Sequence, residues 1–423
     1  MVPGPIPIAL GAMALQPLLL PLVDWVTPDA SGAAFNYTKI PRIVYVTKEL
    51  AAQRDSGGLT LIPPSGEEFA QTFVEDLTSV TGDEWSLEIT DDPGDVASGI
   101  LMSTYEGDKS KLVYEDGTPT EEGYVLEVAD GKAIIRGAGS RGAWWGTRTL
   151  LQLLMISNWT WLPELTITDA PAYATRGFML DAGRKWYAPE FLKELCTYAS
   201  FFKMSEFHYH TSDNYPLNRG RNETWRDVYA QFSLRPERDE ELLRGLVQRP
   251  QQTLSRADFE DLQRHCARRG ITVVPEIEAP GHCLTITKWK PELALEKKDL
   301  LNLTHPESIP TVKRIWSEFL PWFQTKEVHI GADEYDSTLA DDYITFVNEM
   351  STFVRETSGK RVRIWGTNEP SPNLTVSRDI VVQHWQFGES DPVELHGAGY
   401  SLINSQDWWA YMTLKNDRKR LLP

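Results

Sequence analysis

Residues 272–282 of this 423-residue chain read Thr-Val-Val-Pro-Glu-Ile-Glu-Ala-Pro-Gly-His. The nearly continuous apolar run over 272–277 predicts a strand buried on both faces, and polar residues follow where that strand should end. A helix that begins at the capping box Ser255-x-x-Asp258 and ends on Gly270 precedes it. This stretch therefore predicts the helix and strand units of a parallel sheet.

The same units recur through the rest of the C-terminal region. From Tyr173 onward, apolar runs alternate with amphipathic segments such as the helix predicted over Pro189–Lys203. So many repeated units favour a (β/α)8 TIM-type barrel over an open sheet. Seven strands are predicted, over Gly177–Asp181, Glu206–His210, Thr272–Ile277, Val328–Gly331, Val362–Trp365, Ile380–His384 and Ser401–Asn404. We expect a barrel that lacks its last strand, because the chain is truncated or is a degenerate homologue.

The N-terminal region has a different pattern, in which short apolar runs alternate with turn residues. Two period-2 runs, over Gly123–Val128 and Ala133–Arg136, predict a β-hairpin with an Asp-Gly turn. Helical spacing is present over Glu67–Val80 and Gly142–Leu154. We predict a small α+β domain over residues 23–170 and the barrel over residues 171–423.

Composition limits the partners. The chain has 60 acidic and 42 basic residues, a net charge of −18 and a pI of about 5.0, which disfavours nucleic acid and anionic lipid. No stretch reads as apolar enough to span a membrane. The 15 Trp residues are numerous, and indole faces suit stacking on sugars, although a core position is the ordinary explanation for any one of them.

Three features favour a secreted or lumenal protein. Residues 1–22 are mostly apolar, and Ala12-Met-Ala14 resembles a signal-peptidase site, which predicts a signal segment. The three cysteines allow one disulfide and one free thiol, or three buried thiols. Five sequons favour a glycoprotein, at Asn36, Asn158, Asn222, Asn302 and Asn373.

Polar residues concentrate at the carboxyl ends of the predicted strands, where barrel enzymes place their chemistry. Each has an ordinary structural explanation alone, but their convergence predicts an active site. They are Asp181, Arg184, His208, His210, Asp213, Glu276, Glu278, His282, His329, Asp333, Glu334, Trp365, Glu369, His384 and Trp385.

Two chemistries could use this set. His208-x-His210, with further histidines at other strand ends, could form a metal site, as in a metal-dependent barrel hydrolase. Alternatively, Asp333 and Glu334 could cleave a glycoside between walls of Trp. Because adjacent residues cannot flank one bond from opposite faces, this second reading predicts one acid and one helper.

Four ordered motifs resemble glycoside hydrolase family 20, the β-N-acetylhexosaminidases. The residues that carry the resemblance are Arg176-Gly-Phe-Met-Leu-Asp181, Phe207-His-Tyr-His-Thr-Ser-Asp213, Pro275-Glu-Ile-Glu-Ala-Pro-Gly-His282 and His329-Ile-Gly-Ala-Asp-Glu334. Gly123–Leu154 is similar to the small domain before the barrel of that family. The resemblance implies retaining hydrolysis of terminal β-linked N-acetylhexosamine (GlcNAc or GalNAc) through an oxazolinium formed by the substrate's own acetamido group, without metal or cofactor.

The resemblance also implies roles for individual residues. Asp333 would orient the acetamido group, Glu334 would act as acid and base, and Arg176 would bind sugar hydroxyls. Asp213 and His282 would hold the acid, and His210 would be structural. Trp365 and Trp385 would line the acetamido pocket, and Tyr411 would hydrogen-bond the acetamido oxygen. Apart from the resemblance, Trp365, Trp385, Trp408 and Trp409 are proposed as walls of the sugar site.

Some departures from the family pattern leave alternatives open. Ala332 stands where many members have glycine, and we expect it to be harmless. The long loop after Asp213 leaves open the release of a disaccharide, as by a lacto-N-biosidase. An inactive sugar-binding homologue and a homodimer also remain open.

Overall fold

The computed structural model describes residues 25–28, 35–217, 222–367 and 371–412, together with Leu19 and Pro21. The rest of the predicted signal segment lies outside the described residues. The chain divides into two compact units, the first made of residues 1–178, 188–207 and 258–273, and the second of residues 179–187, 208–257 and 274–423. The domain boundary placed at residue 170 from the sequence stays a prediction.

The first sheet and its helices span the N-terminal region. The strands of this region are β1 (Trp25–Pro28), β2 (Phe35–Asn36), β3 (Ile43–Thr47), β4 (Ser86–Thr90), β5 (Gly99–Thr104), β6 (Tyr124–Ala129), β7 (Lys132–Gly137), β8 (Trp161–Leu162) and β9 (Leu165–Asp169). The helices of this region are α1 (Lys48–Ala52), α2 (Gly66–Thr81) and α3 (Ser140–Ile156).

The C-terminal region begins at Gly177. Its strands are β10 (Gly177–Asp181), β11 (Glu206–His210), β12 (Ser212–Asn214), β13 (Ala230–Phe232), β14 (Thr272–Ala279), β15 (Glu327–Gly331), β16 (Arg361–Trp365), β17 (Val381–His384) and β18 (Ser401–Asn404). Its helices are α4 (Pro189–Phe201), α5 (Glu240–Leu246), α6 (Arg256–Ala267), α7 (Leu284–Trp289), α8 (Ser308–Phe319), α9 (Ala340–Ser358), α10 (Pro392–Gly397) and α11 (Asp407–Ala410).

The N-terminal sheet has seven strands in the order β1-β9-β6-β7-β5-β3-β4. The predicted hairpin is confirmed, since β6 and β7 pair antiparallel and Asp130 and Gly131 both have positive φ, at 48° and 73°. Two positive φ values are the requirement of a type I′ turn. Helices α2 and α3 contribute to its core, where Phe69 stacks on Trp144 at 5.3 Å between ring centroids.

The barrel sheet also has seven strands among the described residues, in the order β10-β11-β14-β15-β16-β17-β18. Neighbouring strands from β14 to β18 pair in parallel. Every residue of β11 and β14 is buried, including the polar residues His208, His210, Glu276 and Glu278. Burial on both faces agrees with the nearly continuous apolar run at the start of β14. The predicted TIM-type barrel preceded by a small α+β domain is confirmed.

The segment after β11 contains structure that the sequence did not predict. Strands β12 and β13 form an antiparallel hairpin in which Ser212 pairs with Phe232 and Asn214 with Ala230. All six residues of the two strands are buried. Three-residue strands are too short to show a period-2 pattern, so the sequence indicated only a loop.

A disulfide resolves the alternatives left open for the cysteines. Cys196 of α4 is bonded to Cys266 of α6, and Cys283 is a buried free thiol. One disulfide with one remaining thiol was the first of the two interpretations.

Candidate active site

The backbone makes a tight left-handed turn at the carboxyl end of β15. Gly331, Ala332 and Glu334 have φ values of 76°, 70° and 45°. A Cβ on Gly331 would lie 2.0 Å from Oε1 of Glu278, so glycine is required there by space as well as by conformation. This turn presents the side chains of Asp333 and Glu334 at the carboxyl end of the strand.

Ala332 is strained in this turn. A residue with a Cβ is disfavoured at a φ of 70°, where glycine is not. The expectation that alanine is harmless here is therefore wrong, because its left-handed backbone conformation costs conformational energy. Two hydrogen bonds hold the peptide groups of Ala332, whose N–H donates to Glu278 at 3.0 Å and whose carbonyl accepts from the Tyr343 hydroxyl at 2.7 Å.

His282 links Glu334 to a buried carboxylate. Its Nε2 lies 3.0 Å from Oε2 of Glu334, and its Nδ1 lies 3.2 Å from Oδ1 of Asp213. Although burial opposes ionisation, His282 and Arg184 hold the pKa of Asp213 below its ordinary value. Burial likewise opposes charge on His282, but Asp213 and Asp333 raise the pKa of the imidazole well above its ordinary value. The imidazole is therefore fixed in orientation and favoured as a cation.

Asp333 and Glu334 have different surroundings. The side chain of Asp333 is 18% exposed and that of Glu334 is 47% exposed. Burial raises the pKa of Asp333 to about 6; the nearby Glu334, Glu276 and Asp213 act in the same direction, and His282 opposes them. Within the part of the chain that the structure describes, Oδ1 of Asp333 is buried and has no hydrogen-bond partner. Asp333 thus carries an acceptor oxygen that no protein donor among the described residues satisfies.

Glu276 is the centre of the histidine cluster in the barrel interior. It accepts hydrogen bonds from His208 at 2.8 Å, from Nδ1 of His210 and from the indole N–H of Trp365 at 2.7 Å. Nδ1 of His329 lies 3.1 Å from its Oε1. Despite burial, these imidazoles hold the pKa of Glu276 well below its ordinary value.

The second nitrogen of His210 bonds Asp213 at 2.7 Å. Because both nitrogens face carboxylates, the pKa of His210 is raised well above its ordinary value, although burial opposes this. His210 therefore connects Glu276 to the carboxylate that holds His282.

Among the residues that the structure describes, three groups have a spacing that could hold a metal ion: His208–Glu276–His329, Asp181–His210–Asp213 and His210–Glu276–Glu278. In each group the side chains already form hydrogen bonds or ion pairs with one another or with a neighbour. Both oxygens of Glu276, the residue common to two of the groups, accept hydrogen bonds. Mutual hydrogen bonding accounts for the arrangement of these side chains.

The predicted aromatic walls have unequal positions. Trp365 is only 8% exposed and lies against the rings of His208 and His329, at 5.4 Å and 4.9 Å. Trp385 donates its indole N–H to the carbonyl of Gly366 at 2.9 Å.

Two of the predicted aromatic residues, which follow β18, are much more exposed. Trp408 is 67% exposed and packs on Phe387 at 5.8 Å, and Tyr411 is 45% exposed. The side chain of Trp409, and the whole of Glu369, lie outside the described residues.

Arg176 requires a correction, because it precedes β10 and so lies at the amino end of the strand. Its guanidinium donates to Glu122 at 2.6 Å and to the carbonyl of Lys203 at 3.0 Å. The structure therefore does not bring Arg176 to the carboxyl ends of the strands, where the other predicted residues lie.

Arg184 follows the carboxyl end of β10 and occupies the position that was expected for Arg176. It contacts Asp181 and Asp213, each at 2.8 Å. Its Nη2 lies 3.4 Å from Nδ1 of His282. Arg184 was named among the residues beyond the strand ends but was given no role, and that location was the available signal.

Glu278 was noted at a strand end but was given no role. It is buried, and burial together with the nearby Asp333 and Glu276 carboxylates raises its pKa well above its ordinary value. A neutral carboxyl group at this position supports the turn of Ala332 without adding a second charge beside Asp333. The Glu-x-Glu spacing places Glu276 and Glu278 on the same side of β14, and this was the available signal.

Comparison with known protein families gives two matches, one to the N-terminal region and one to the region that follows it. Residues 40–170 match the model for glycosyl hydrolase family 20, domain 2, and residues 173–342 match the catalytic domain of the same family. The chain belongs to glycosyl hydrolase family 20.

Curated relatives in family 20 are distant and longer. The chain is 26% identical to the lacto-N-biosidase of Bifidobacterium bifidum over 79% of its own length and 30% of that protein. It is 26% identical to the β-hexosaminidase of Vibrio furnissii over 72% of its length and 55% of that protein. The chain thus spans about a third to a half of these relatives.

Solved structures of family 20 enzymes share the fold. The β-N-acetylhexosaminidase of Bacteroides fragilis has a TM-score of 0.68 at 21% identity, and 90% of this chain covers 73% of that one. The N-acetyl-β-hexosaminidase of Streptomyces plicatus has a TM-score of 0.70 at 21% identity, with coverages of 95% and 77%. No helix within the described residues is both long and apolar enough to cross a membrane.

Proposed function

We propose that the protein is a retaining exo-glycosidase that removes terminal β-linked N-acetylhexosamine by substrate-assisted catalysis. The observation that carries the proposal is the pair of adjacent carboxyl groups in unlike surroundings. Asp333 is largely buried with an unpartnered oxygen, whereas the more exposed Glu334 is tethered by His282. One carboxylate is suited to the acetamido group and the other to proton transfer.

In the first step, the acetamido carbonyl oxygen forms a bond to the anomeric carbon while the glycosidic C–O bond breaks. Glu334 gives its proton to the departing oxygen. Asp333 accepts a hydrogen bond from the acetamido N–H, and its negative charge stabilises the oxazolinium cation.

In the second step, Glu334 takes a proton from water, whose oxygen bonds to the anomeric carbon and reopens the oxazolinium ring. Two displacements at one carbon retain the β configuration. His282 orients Glu334 throughout, since its other nitrogen is held by Asp213.

Turnover of 4-nitrophenyl N-acetyl-β-glucosaminide by folded protein tests this proposal. Hydrolysis supports the enzyme, whereas binding of the sugar without hydrolysis would support the inactive sugar-binding homologue instead. Nuclear magnetic resonance of the first-formed sugar anomer then distinguishes retention from inversion.

Release of a disaccharide is a second candidate function. Its support is the similarity over 79% of this chain to a protein named lacto-N-biosidase. A 4-nitrophenyl glycoside of a disaccharide with GlcNAc at its reducing end would yield the intact disaccharide by this activity.

We also infer that the chain matures in an oxidising secretory compartment. The disulfide between α4 and α6 supports this inference, because such bonds persist in oxidising compartments. At the sequons of Asn36 and Asn302, the Thr hydroxyl two residues later donates to the Asn side-chain oxygen at 2.7 Å. A fall in mass after treatment with an amidase for N-linked glycans is expected, and an unchanged mass would contradict the glycoprotein assignment.

A further inference from the structure

The loop after β14 carries His282 in a strained backbone conformation. The φ of His282 is 47°, in the left-handed region that residues with a side chain rarely adopt. The preceding Gly281 lies so close to Asp333 that an added Cβ would collide with the carbonyl oxygen of Asp333. Such a conformation persists only where the surrounding contacts hold it.

Asn214 provides one of these contacts. Its side-chain oxygen accepts a hydrogen bond at 3.1 Å from the backbone N–H of Leu284, two residues after His282. Its amide nitrogen donates to a carboxylate oxygen of Asp299 at 3.4 Å. The backbone carbonyl of Asp299 accepts from the N–H of Cys283 at 3.0 Å. Asn214 and Asp299 therefore hold the first two peptide N–H groups that follow His282.

Asn214 is also joined to the residues that hold the imidazole of His282. It directly follows Asp213 on β12, and Oδ1 of Asp213 lies 3.2 Å from Nδ1 of His282. Arg184, which contacts Asp213 at 2.8 Å, donates from Nε to the carbonyl of Asn214 at 3.0 Å. Asn214 itself is only 1% exposed. One short buried strand thus fixes both the ring of His282 and the backbone that carries it.

The position of His282 matters because its second nitrogen reaches the candidate acid. Nε2 of His282 lies 3.0 Å from Oε2 of Glu334. Hydrogen bonds weaken steeply with distance and angle, and a misplacement of about 1 Å in an active site can lower the rate about 100-fold. A shift of the loop would therefore impair proton transfer by Glu334.

We propose that Asn214 is a positioning residue for proton transfer by Glu334, because its side-chain amide holds the loop that carries His282. Asn214 acts through Leu284, Asp299 and His282, and not by contact with the reacting atoms. The inference rests on the proposed function for the role of Glu334. It deepens that function, since cleavage of the glycosidic bond should depend on a buried amide outside the catalytic pair.

Leaving groups of different basicity test this role on the intact protein. Dinitrophenolate departs from a 2,4-dinitrophenyl N-acetyl-β-glucosaminide without needing a proton, whereas 4-methoxyphenolate needs one. The measured quantity is kcat/KM, because it reports cleavage of the glycosidic bond. Asn214→Ala should lower kcat/KM for the methoxyphenyl glycoside about tenfold more than for the dinitrophenyl glycoside. An equal loss for both glycosides, or no loss, would overturn the inference, since damage to the fold alone does not distinguish leaving groups.

A reciprocal pair of substitutions tests the contact with Asp299. Asn214→Asp keeps an acceptor for the Leu284 N–H but places a carboxylate against Asp299, so it should show the same selective loss. Adding Asp299→Asn exchanges donor and acceptor and restores the net charge. The double variant should therefore recover to within about threefold of the wild-type kcat/KM for the methoxyphenyl glycoside. This pair carries the test if Asn214→Ala does not fold, and a double variant no better than Asn214→Asp would overturn the inference.

Gln231→Ala is the matched control. Gln231 is an equally buried amide on β13 of the same hairpin, and it donates to the carbonyl of Gln252 at 2.6 Å. Its loss should lower kcat/KM for both glycosides by the same factor, or leave both unchanged. A selective loss like that of Asn214→Ala would overturn the inference, because any buried amide of the hairpin would then have this effect.

Wild-type activity separates this inference from the proposed function. Hydrolysis of neither glycoside by the folded wild-type protein would overturn the proposed function, and the role of Asn214 with it. Hydrolysis of both glycosides, with equal losses in Asn214→Ala, would overturn only the role of Asn214. Glu334→Gln gives the reference, since removal of the acid itself should produce the largest difference between the two leaving groups.

Discussion

Glu334 is the residue on which turnover should depend most. Glu334→Gln keeps the shape of the side chain but removes the transferable proton, so we expect a loss of kcat of about 10²- to 10⁴-fold. Binding of a thiazoline mimic of the intermediate should persist, because Asp333 and the sugar contacts remain. Steady-state kinetics and titration measure the two effects.

An exposed residue provides the matched control for this change. Glu292→Gln alters the formal charge equally at an exposed position of the same region and should leave kcat unchanged. Wild-type turnover by Glu334→Gln would exclude Glu334 as the acid.

Asp333 should determine the acid limb of the pH profile. Its pKa is about 6, so kcat/KM should fall as the pH drops through 6, because protonated Asp333 cannot stabilise the oxazolinium. In Asp333→Asn the remaining activity should be low and should lack this limb. A wild-type kcat/KM that stays constant between pH 5 and pH 7 would contradict this role.

The ionised carboxylate of Asp333 should lower the free energy of unfolding. Its pKa rises from 3.8 in the unfolded chain to about 6 in the folded protein, so its charge opposes folding above pH 6 and this penalty disappears as the pH falls towards 4. Asp333→Asn should therefore raise the free energy of unfolding by about 1–2 kcal/mol at pH 8 and by less at pH 5. Urea titrations at the two pH values measure the difference, and equal stabilities at pH 8 would refute it.

Replacing Ala332 with glycine should stabilise the protein. Ala332→Gly removes the strain of a left-handed alanine and should raise the free energy of unfolding by about 0.5–1 kcal/mol, after the greater entropy of unfolded glycine is deducted. Ala257→Gly, on an exposed position of the right-handed helix α6, should lower it. Destabilisation by both changes would show that strain at Ala332 is not important.

At the scale of single residues, the sequence identified the side chains of the candidate site better than the contacts that each of them makes. Asp213, His282, Asp333 and Glu334 are brought together as the motifs predicted. Arg176 was misplaced because a motif does not show which end of a strand a flanking residue occupies. The support that Glu278 gives to Ala332 joins residues far apart in sequence, so no local pattern could indicate it.

At the scale of elements, buried strands were predicted closely because continuous apolar runs bounded by turn residues have few alternatives. Strands β10, β11 and β18 begin and end where the sequence predicted. The β12–β13 hairpin was missed because its short, largely polar strands are stabilised by burial and not by their own pattern. The hairpin matters for the candidate site, since it carries Asp213, which contacts His282.

The disulfide is the element-scale feature that is most open to test. It closes a separation of 70 residues between α4 and α6, so Cys196→Ser combined with Cys266→Ser should lower the free energy of unfolding by about 2–4 kcal/mol. Thermal unfolding with and without dithiothreitol gives the control. Reductant should destabilise the wild-type protein and leave the double variant unaffected, and the reverse result would contradict the pairing.

At the scale of the whole molecule, two possible reaction classes make opposite predictions about metal. The hydrogen bonds to Glu276 account for the buried histidine cluster, so exhaustive treatment with EDTA should leave hydrolysis unchanged. Loss of activity that zinc restores would favour the metal-dependent hydrolase. Metal analysis of the treated protein confirms that removal was complete.

The central claim is that the substrate's acetamido oxygen is the nucleophile at the Asp333–Glu334 site. The direct measurement compares kcat/KM for aryl glycosides whose 2-acetamido group carries none, one, two or three fluorines. Fluorine withdraws electrons from the carbonyl oxygen, so the account predicts a steep, progressive fall across the series. A rate that does not depend on fluorination would contradict it.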